Sequence, residues 1–366
     1  MGILWVLMAV LMIAWVVMLR RRGGGGGIRQ VAPGSPDAAD PADYGFVRQE
    51  ELDVRLPGPD QDLLDVMAVV QRNQDFTAAS QLLAGTGKET ETRWERVQAI
   101  AGAAAIELAQ TPRLGAGWLH AWRSQKPKDA GGAQVFAEFL VQQAWRNGGT
   151  QDEQRIILEE ARAACEQAAL LAPGDPVPHI THLAVARGLG YSQSEFEQLW
   201  LKILDTAPGH MGAHLAGLRY WTEKWHGSRD EAFAFAEAAA ARAPRGSLLA
   251  ALPLFALYEH MPDLNLVRGF YESEVVTKAL HGALFAVNAA RPDDPMLAHV
   301  RHLLVFFLVR SERWSEAMQQ IVHVDGHVGA IPWTAEEDPA AAYAVYRALA
   351  VAGYEANGGS PASLLR

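Results

Sequence analysis

From about residue 61 onward, apolar side chains recur three and four positions apart, the repeat that puts them on one side of an α-helix. Phe196, Leu199, Trp200, Ile203 and Leu204 show it most plainly, falling on a single stripe. The spacing predicts helices over residues 63–72, 76–83, 91–109, 131–146, 151–171, 175–188, 192–206, 210–224, 228–242 and 247–260. Further helices are expected from near residue 264 and over 292–310, 311–323 and 334–354. Four capping boxes mark helix starts: Thr150 with Glu153, Ser192 with Glu195, Ser228 with Glu231, and Thr334 with Glu337. In each, the hydroxyl can accept from the third helical N–H while the glutamate reaches back to the cap. No alternating β-branched run is long enough for a strand, so the expected class is all-α.

The helices repeat. Ala172-Pro173, Ala207-Pro208 and Ala243-Pro244 each close an apolar helical stretch, at steps of 35 and 36 residues. The boxes at Ser192 and Ser228 are also 36 residues apart. A period of this size marks helix pairs that cannot bury their apolar faces alone and must stack. The expected pairs are 175–188 with 192–206, 210–224 with 228–242, and 247–260 with the helix from near 264, preceded by a longer, less regular pair, 131–146 with 151–171. Ala184 to Tyr191, followed by Phe196, Leu199 and Ala207-Pro208, resembles a degenerate tetratricopeptide-type repeat. The stretch from Leu199-Trp200 through Lys224-Trp225-His226-Gly227-Ser228 to Ser247 also resembles an uncharacterised actinobacterial family of helical-repeat proteins. The resemblance spans roughly Trp94 to Trp333. It implies a TPR-like α-solenoid of antiparallel helix pairs and supplies no catalytic residues. In such stacks the first helix of each pair lines the concave side, which makes His179, His182, His214 and Trp221 the candidate partner groove, opposite Ile180, Leu183, Leu215 and Leu218.

Ahead of the helices lies a different segment. Ile3 to Leu19 is 17 residues without a charged or strongly polar side chain, with Trp5 and Trp15 near its ends. At about 1.5 Å per residue it just spans a thin hydrocarbon core. Arg20, Arg21 and Arg22 follow it, where a cleaved signal peptide would place its charge first. Residues 1–22 therefore read as a transmembrane anchor at the cell membrane, single-pass, with the following domain cytoplasmic by the positive-inside rule. Residues 23–60, rich in Gly, Pro, Asp and Ala, read as a disordered linker spanning roughly 35 Å. Residues 61–356 are then the helical-repeat domain and 357–366 a disordered tail. Leu303 to Val309 is strongly apolar but only seven residues long, a buried helix.

Charge and composition narrow the function. A net charge of −10 without a basic stripe argues against nucleic acid. The apolar share of 49% permits a sizeable core. Cys165 is the only cysteine, so no internal disulfide can form. It lies on a helix with neither base nor electropositive neighbours in view, and reads as a small buried residue. His210 and His214 have a zinc-compatible spacing but lack the intervening glutamate of a zincin. His214 moreover aligns with His179 at an offset of 35, as a structural position that recurs. Gly85-Thr86-Gly87-Lys88 lacks the upstream glycine and the hydroxyl residue of a phosphate loop, and reads as a turn. Trp118/Trp122 and Trp221/Trp225 are four apart and read as core packing between helices. No cofactor or metal is implied. The expected function is a membrane-anchored scaffold that binds a protein or peptide partner. The alternative is an enzyme, or an accessory subunit of one, with the helical bowl as its pocket; self-assembly of the repeats is a third outcome.

Overall fold

The computed structural model describes residues 40–146, 150–261 and 269–364. The anchor segment, the glycine run at 23–27 and the start of the helix expected near 264 lie outside the described residues. Among the described residues there is no strand, only one isolated bridge between Asp53 and His327. No described helix is long and apolar enough to cross a membrane.

Two compact units divide the chain: residues 58–300, and residues 40–57 together with 301–364. The larger unit holds α1 (Gln61–Asn73), α2 (Thr77–Gly85), α3 (Thr90–Gln110), α4 (Gly117–Gln125), α5 (Ala130–Arg146), α6 (Gln151–Leu171), α7 (Val177–Leu189) and α8 (Gln193–Thr206). It continues with α9 (Met211–Tyr220), α10 (Arg229–Ala241), α11 (Leu252–Glu259) and α12 (Glu274–Ala289). The unit boundary falls inside α13 (Leu297–Arg310), and α14 (Trp314–Val324) and α15 (Pro339–Ala356) complete the smaller unit.

The expected pairs 175–188/192–206 and 210–224/228–242 correspond to α7 with α8 and α9 with α10, each packed together. Ile180, Leu183, Phe196, Leu199 and Ile203 interlock with Ala213 and Tyr220 in one buried cluster, so neighbouring pairs share a core. The capping boxes at Thr150 and Ser192 are complete, with hydroxyl and carboxylate both engaged. At Ser228 the hydroxyl accepts from Glu231 N–H, and the carboxylate takes the hydroxyl's proton instead of the cap N–H. Thr334 is no cap: it sits in a short 3₁₀ turn, and Asp338 caps α15 two residues before Ala340. Pro339 can occupy only the first turn of a helix, and it resets the start to itself. The helix Gly117–Gln125, missed in the sequence, is held by Trp118 and Trp122, both buried; Trp118 Nε1 donates to Glu107 at 2.8 Å and Trp122 stacks on Phe76. The third pair is described in part: α11 and α12 pack together, and α12 runs from Glu274.

The first helices of the successive pairs, α5, α7 and α9, do not face an open trough. Helix α3 packs against all three. Its 21 residues, about 31 Å of helix, are long enough to cross them. Ile100, Ala101, Ala104 and Ala105 supply its close-packing surface. Gln98 carbonyl accepts from Gln142 on α5, Arg93 pairs with Asp175 at the head of α7, and Glu91 reaches the head of α9.

In the smaller unit, residues 40–57 are structured, which corrects the linker reading for that stretch. Two 3₁₀ turns, Pro41–Tyr44 and Gln49–Glu51, lead into backbone bonded to the Gly326–Gly329 loop. Phe46, Leu52 and Leu56 are buried. The Arg347–Asp325 ion pair, at 2.6 Å and nearly buried, is completed by the backbone of Val47: its carbonyl accepts from Arg347 and its N–H donates to Asp325. His302 is wholly buried, bonded to Pro57 carbonyl and to Trp333 Nε1. The supposed tail ends in a short turn, Pro361–Ser363, with Pro361 buried.

Candidate functional site

A cleft of about 480 Å³ opens between α6 and α8, with α7 as its floor. Both α6 and α8 pack on α7. Four residues of α8, Glu195, Gln198, Leu199 and Lys202, enter it at helical spacing i, i+3, i+4 and i+7. His179 and His182 rise from α7, one turn apart. Glu166, Ala169 and Leu170 form the α6 wall, and Tyr191 in the turn after α7 closes one end.

The repeat explains why a cleft exists here and not one step further along. At an offset of 35, Cys165 corresponds to Trp200 and His182 to Gly217; at 36, Leu199 corresponds to Phe235. In the next interval Trp200 and Phe235 lie 5.3 Å apart and fill the space, and a Cβ on Gly217 would stand only 3.0 Å from Phe235. Smaller side chains at Cys165 and Leu199 leave the equivalent volume empty between α6 and α8.

Of the four groove residues expected from the sequence, the structure brings two together. His179 and His182 line the cleft, but it lies between the second helices of successive pairs, not on the face of the first helices. His214 is 4% exposed and donates its Nδ1 proton to His210 carbonyl at 2.9 Å, with Trp200 edge-on at 4.9 Å. Trp221 caps α9 and packs edge-on to Phe196 at 5.6 Å, with its indole nitrogen buried. Neither faces a groove. The reason is packing inside the helix stack: His214 meets Trp200 and Phe235, and Trp221 meets Phe196 and Tyr220.

Burial dominates the electrostatics of the cleft. His182 is held neutral, its pKa pushed down to about 4 by burial and then by the charges of His179, Lys202 and Arg162. Its Nε2 lies 3.1 Å from the Tyr191 hydroxyl, whose own pKa burial raises. His179 is lowered by burial and Lys202. A base this weak takes protons poorly at neutral pH. The Cys165 thiol on the α6 wall is pushed well up by burial and by Glu138 and Glu166, the reverse of what a nucleophile needs. Among the described residues, the side chains of His179, Gln198, Lys202 and Glu166 make no hydrogen bond, and all four line the cleft. No group of three or more acidic, histidine or cysteine side chains could hold a metal among the described residues.

Tyr191, Gln198, Lys202 and Glu166 were not singled out from the sequence. Lys202 carried the one usable signal: the chain has only six lysines, and this one interrupts the apolar run Leu199 to Leu204. His299, paired with Glu95 at 2.9 Å, and the buried His302 are structural. Gly85 to Lys88 forms the turn between α2 and α3. Comparison with family models, with curated proteins and with solved structures finds no match to this chain.

Proposed function

We propose that the protein is a membrane-anchored, cytoplasmic helical-repeat scaffold of TPR-like design, and that it holds a protein or peptide partner in the cleft between α6 and α8. The observation that carries this reading is the cleft itself. It combines unpartnered hydrogen-bonding groups of both kinds with an apolar wall, and Leu170 on that wall is 81% exposed. Lys202 and Gln198 can bond a backbone carbonyl, Glu166 a backbone N–H, and Leu170 an apolar side chain, which together describe a polypeptide segment. The enzyme alternative draws less support from this geometry, because burial lowers both histidines and raises the Cys165 thiol, away from a base and a nucleophile poised near neutral pH. Residues 3–19 would hold the bound partner near the bilayer and raise its local concentration.

The test uses a photo-crosslinking residue at Gln198 of the full chain in native membranes, with mass spectrometry of the products. A reproducible polypeptide adduct that disappears when Leu199→Phe fills the cleft is the expected result. No adduct, or one indifferent to Leu199→Phe in a variant that keeps its helical circular dichroism, would defeat the proposal.

A further inference from the structure

A second feature, at the ends of α7 and α9, points to what such a partner carries. Arg187, in the last turn of α7, places its guanidinium between two indoles, 5.3 Å from the Trp145 ring and 4.9 Å from the Trp225 ring. The rings meet edge-on at 5.3 Å and form two walls of a box. No nitrogen of Arg187 donates a hydrogen bond among the described residues, and its Nε is buried. A guanidinium presents five donors in a fixed fork, and burying one without an acceptor is costly. The aromatic faces attract the charge but accept no hydrogen bonds of comparable strength.

The surroundings add positive charge. Burial and the charge of Arg219 push the Arg187 pKa down to about 10. Arg219 stands 3.6 Å from Glu259, beyond hydrogen-bonding reach, and Lys224 lies over the other indole at 5.9 Å. Glu138, whose charge also reaches Arg187, is committed elsewhere, to Thr181 at 3.0 Å and Gln142 at 3.1 Å. Arg187, Arg219 and Lys224 stand against Glu259 and a Glu138 already held by its own partners, so positive charge is in excess.

We propose that Arg187, framed by Trp145 and Trp225 and flanked by Arg219, recognises a side-chain carboxylate of a polypeptide ligand. This rests on the reading that the partner is a polypeptide and extends it to an acidic one. A carboxylate matches the fork geometry of the guanidinium and its positive surroundings. The polypeptide reading of the partner selects a carboxylate over inorganic phosphate, which the test includes as a competitor. The dry indole walls strengthen the pair relative to one in open water.

Calorimetric titration of the full-length chain in detergent micelles tests this with three probes: N-acetyl-triglutamate amide, the triglutamine equivalent and inorganic phosphate. Saturable binding of the triglutamate alone is expected, weakened roughly tenfold or more, about 1.4 kcal/mol, by Arg187→Met and separately by Arg219→Gln. Arg219 is half exposed, so its variant stays informative if Arg187→Met misfolds. A merely structural Arg187 would lower the melting temperature of Arg187→Met while leaving triglutamate affinity unchanged. That outcome, tighter binding of phosphate, or no saturation up to about 10 mM, below the weak end of useful affinity, would overturn the assignment. The cleft adduct at Gln198 reads out separately, so loss of one result without the other identifies which proposal has failed.

Discussion

Among individual residues, Glu91 is the most consequential buried group. Its carboxyl accepts from the N–H groups of Met211 and Gly212 and lies 3.0 Å from His210 Nδ1. Nδ1 also accepts from Ala213 N–H at 3.2 Å, so the proton shared with Glu91 belongs on the carboxyl. Burial raises the Glu91 pKa to about 8 and lowers that of His210 to about 4, and the pair holds one proton between those limits. The neighbouring acids Asp294 and Glu95 push the Glu91 value in the same direction. A carboxyl raised on folding contributes stability that is complete below its ordinary value of 4.5 and is lost as pH rises through 8. The His210 contribution runs the other way: it is present above 6.5 and is lost as pH falls through 4. Glu91→Gln keeps the acceptor and removes the titration. Denaturant melts of wild type and Glu91→Gln from pH 5 to 9 should therefore diverge by a few kcal/mol, at about 1.4 kcal/mol per pKa unit, with the wild type losing more. Parallel curves would show that the carboxyl is ionised throughout.

Helix α3 decides how the elements meet. Trp94, one turn beyond Glu91, lies directly over Gly212 in the first turn of α9, where a Cβ would stand 2.7 Å from the indole. Gly212 is in helical backbone, so here the glycine serves close approach. Gly212→Ala should destabilise the fold by about 1–3 kcal/mol through overpacking, although alanine is the better helix former. Trp94→Leu in the same chain should restore part of that loss, because it makes room for the methyl. Additive effects of the two substitutions in denaturant melts would mean that α3 and α9 are not in register as described. The pair also reports on partner access, since as long as α3 is docked the face of α5, α7 and α9 is closed.

For the whole molecule, residues 40–57 belong with residues 301–364. Removing them strips the Val47 partners from the Arg347–Asp325 pair and the Pro57 acceptor from His302, leaving buried charge and a buried imidazole unsatisfied. A chain begun at residue 58 should lose protease resistance across 301–364 while the 58–300 unit stays resistant, as mass spectrometry of limited digests would show. Equal resistance of both units would make the segment dispensable. The tether has its own test. Deleting residues 1–22 should move the protein from the membrane pellet to the supernatant on ultracentrifugation, and unchanged fractionation would remove the anchor from the proposal.

What the chain declared without coordinates was local: helix identity from apolar spacing, caps at Thr150 and Ser192 from residues three apart, and the pairing of helices from a 35- to 36-residue period. These are legible because each is set by interactions within a turn or between neighbours in sequence. Tertiary structure alone decided which faces stay open. That α3 would cover the first helices depends on Glu91 meeting residues 120 positions away. That the cleft lies between α6 and α8 depends on Cys165 and Leu199 being too small to fill a space that Trp200 and Phe235 fill in the next interval. Spacing along one helix reports which side an apolar residue takes; how much room remains depends on side chains contributed by other helices.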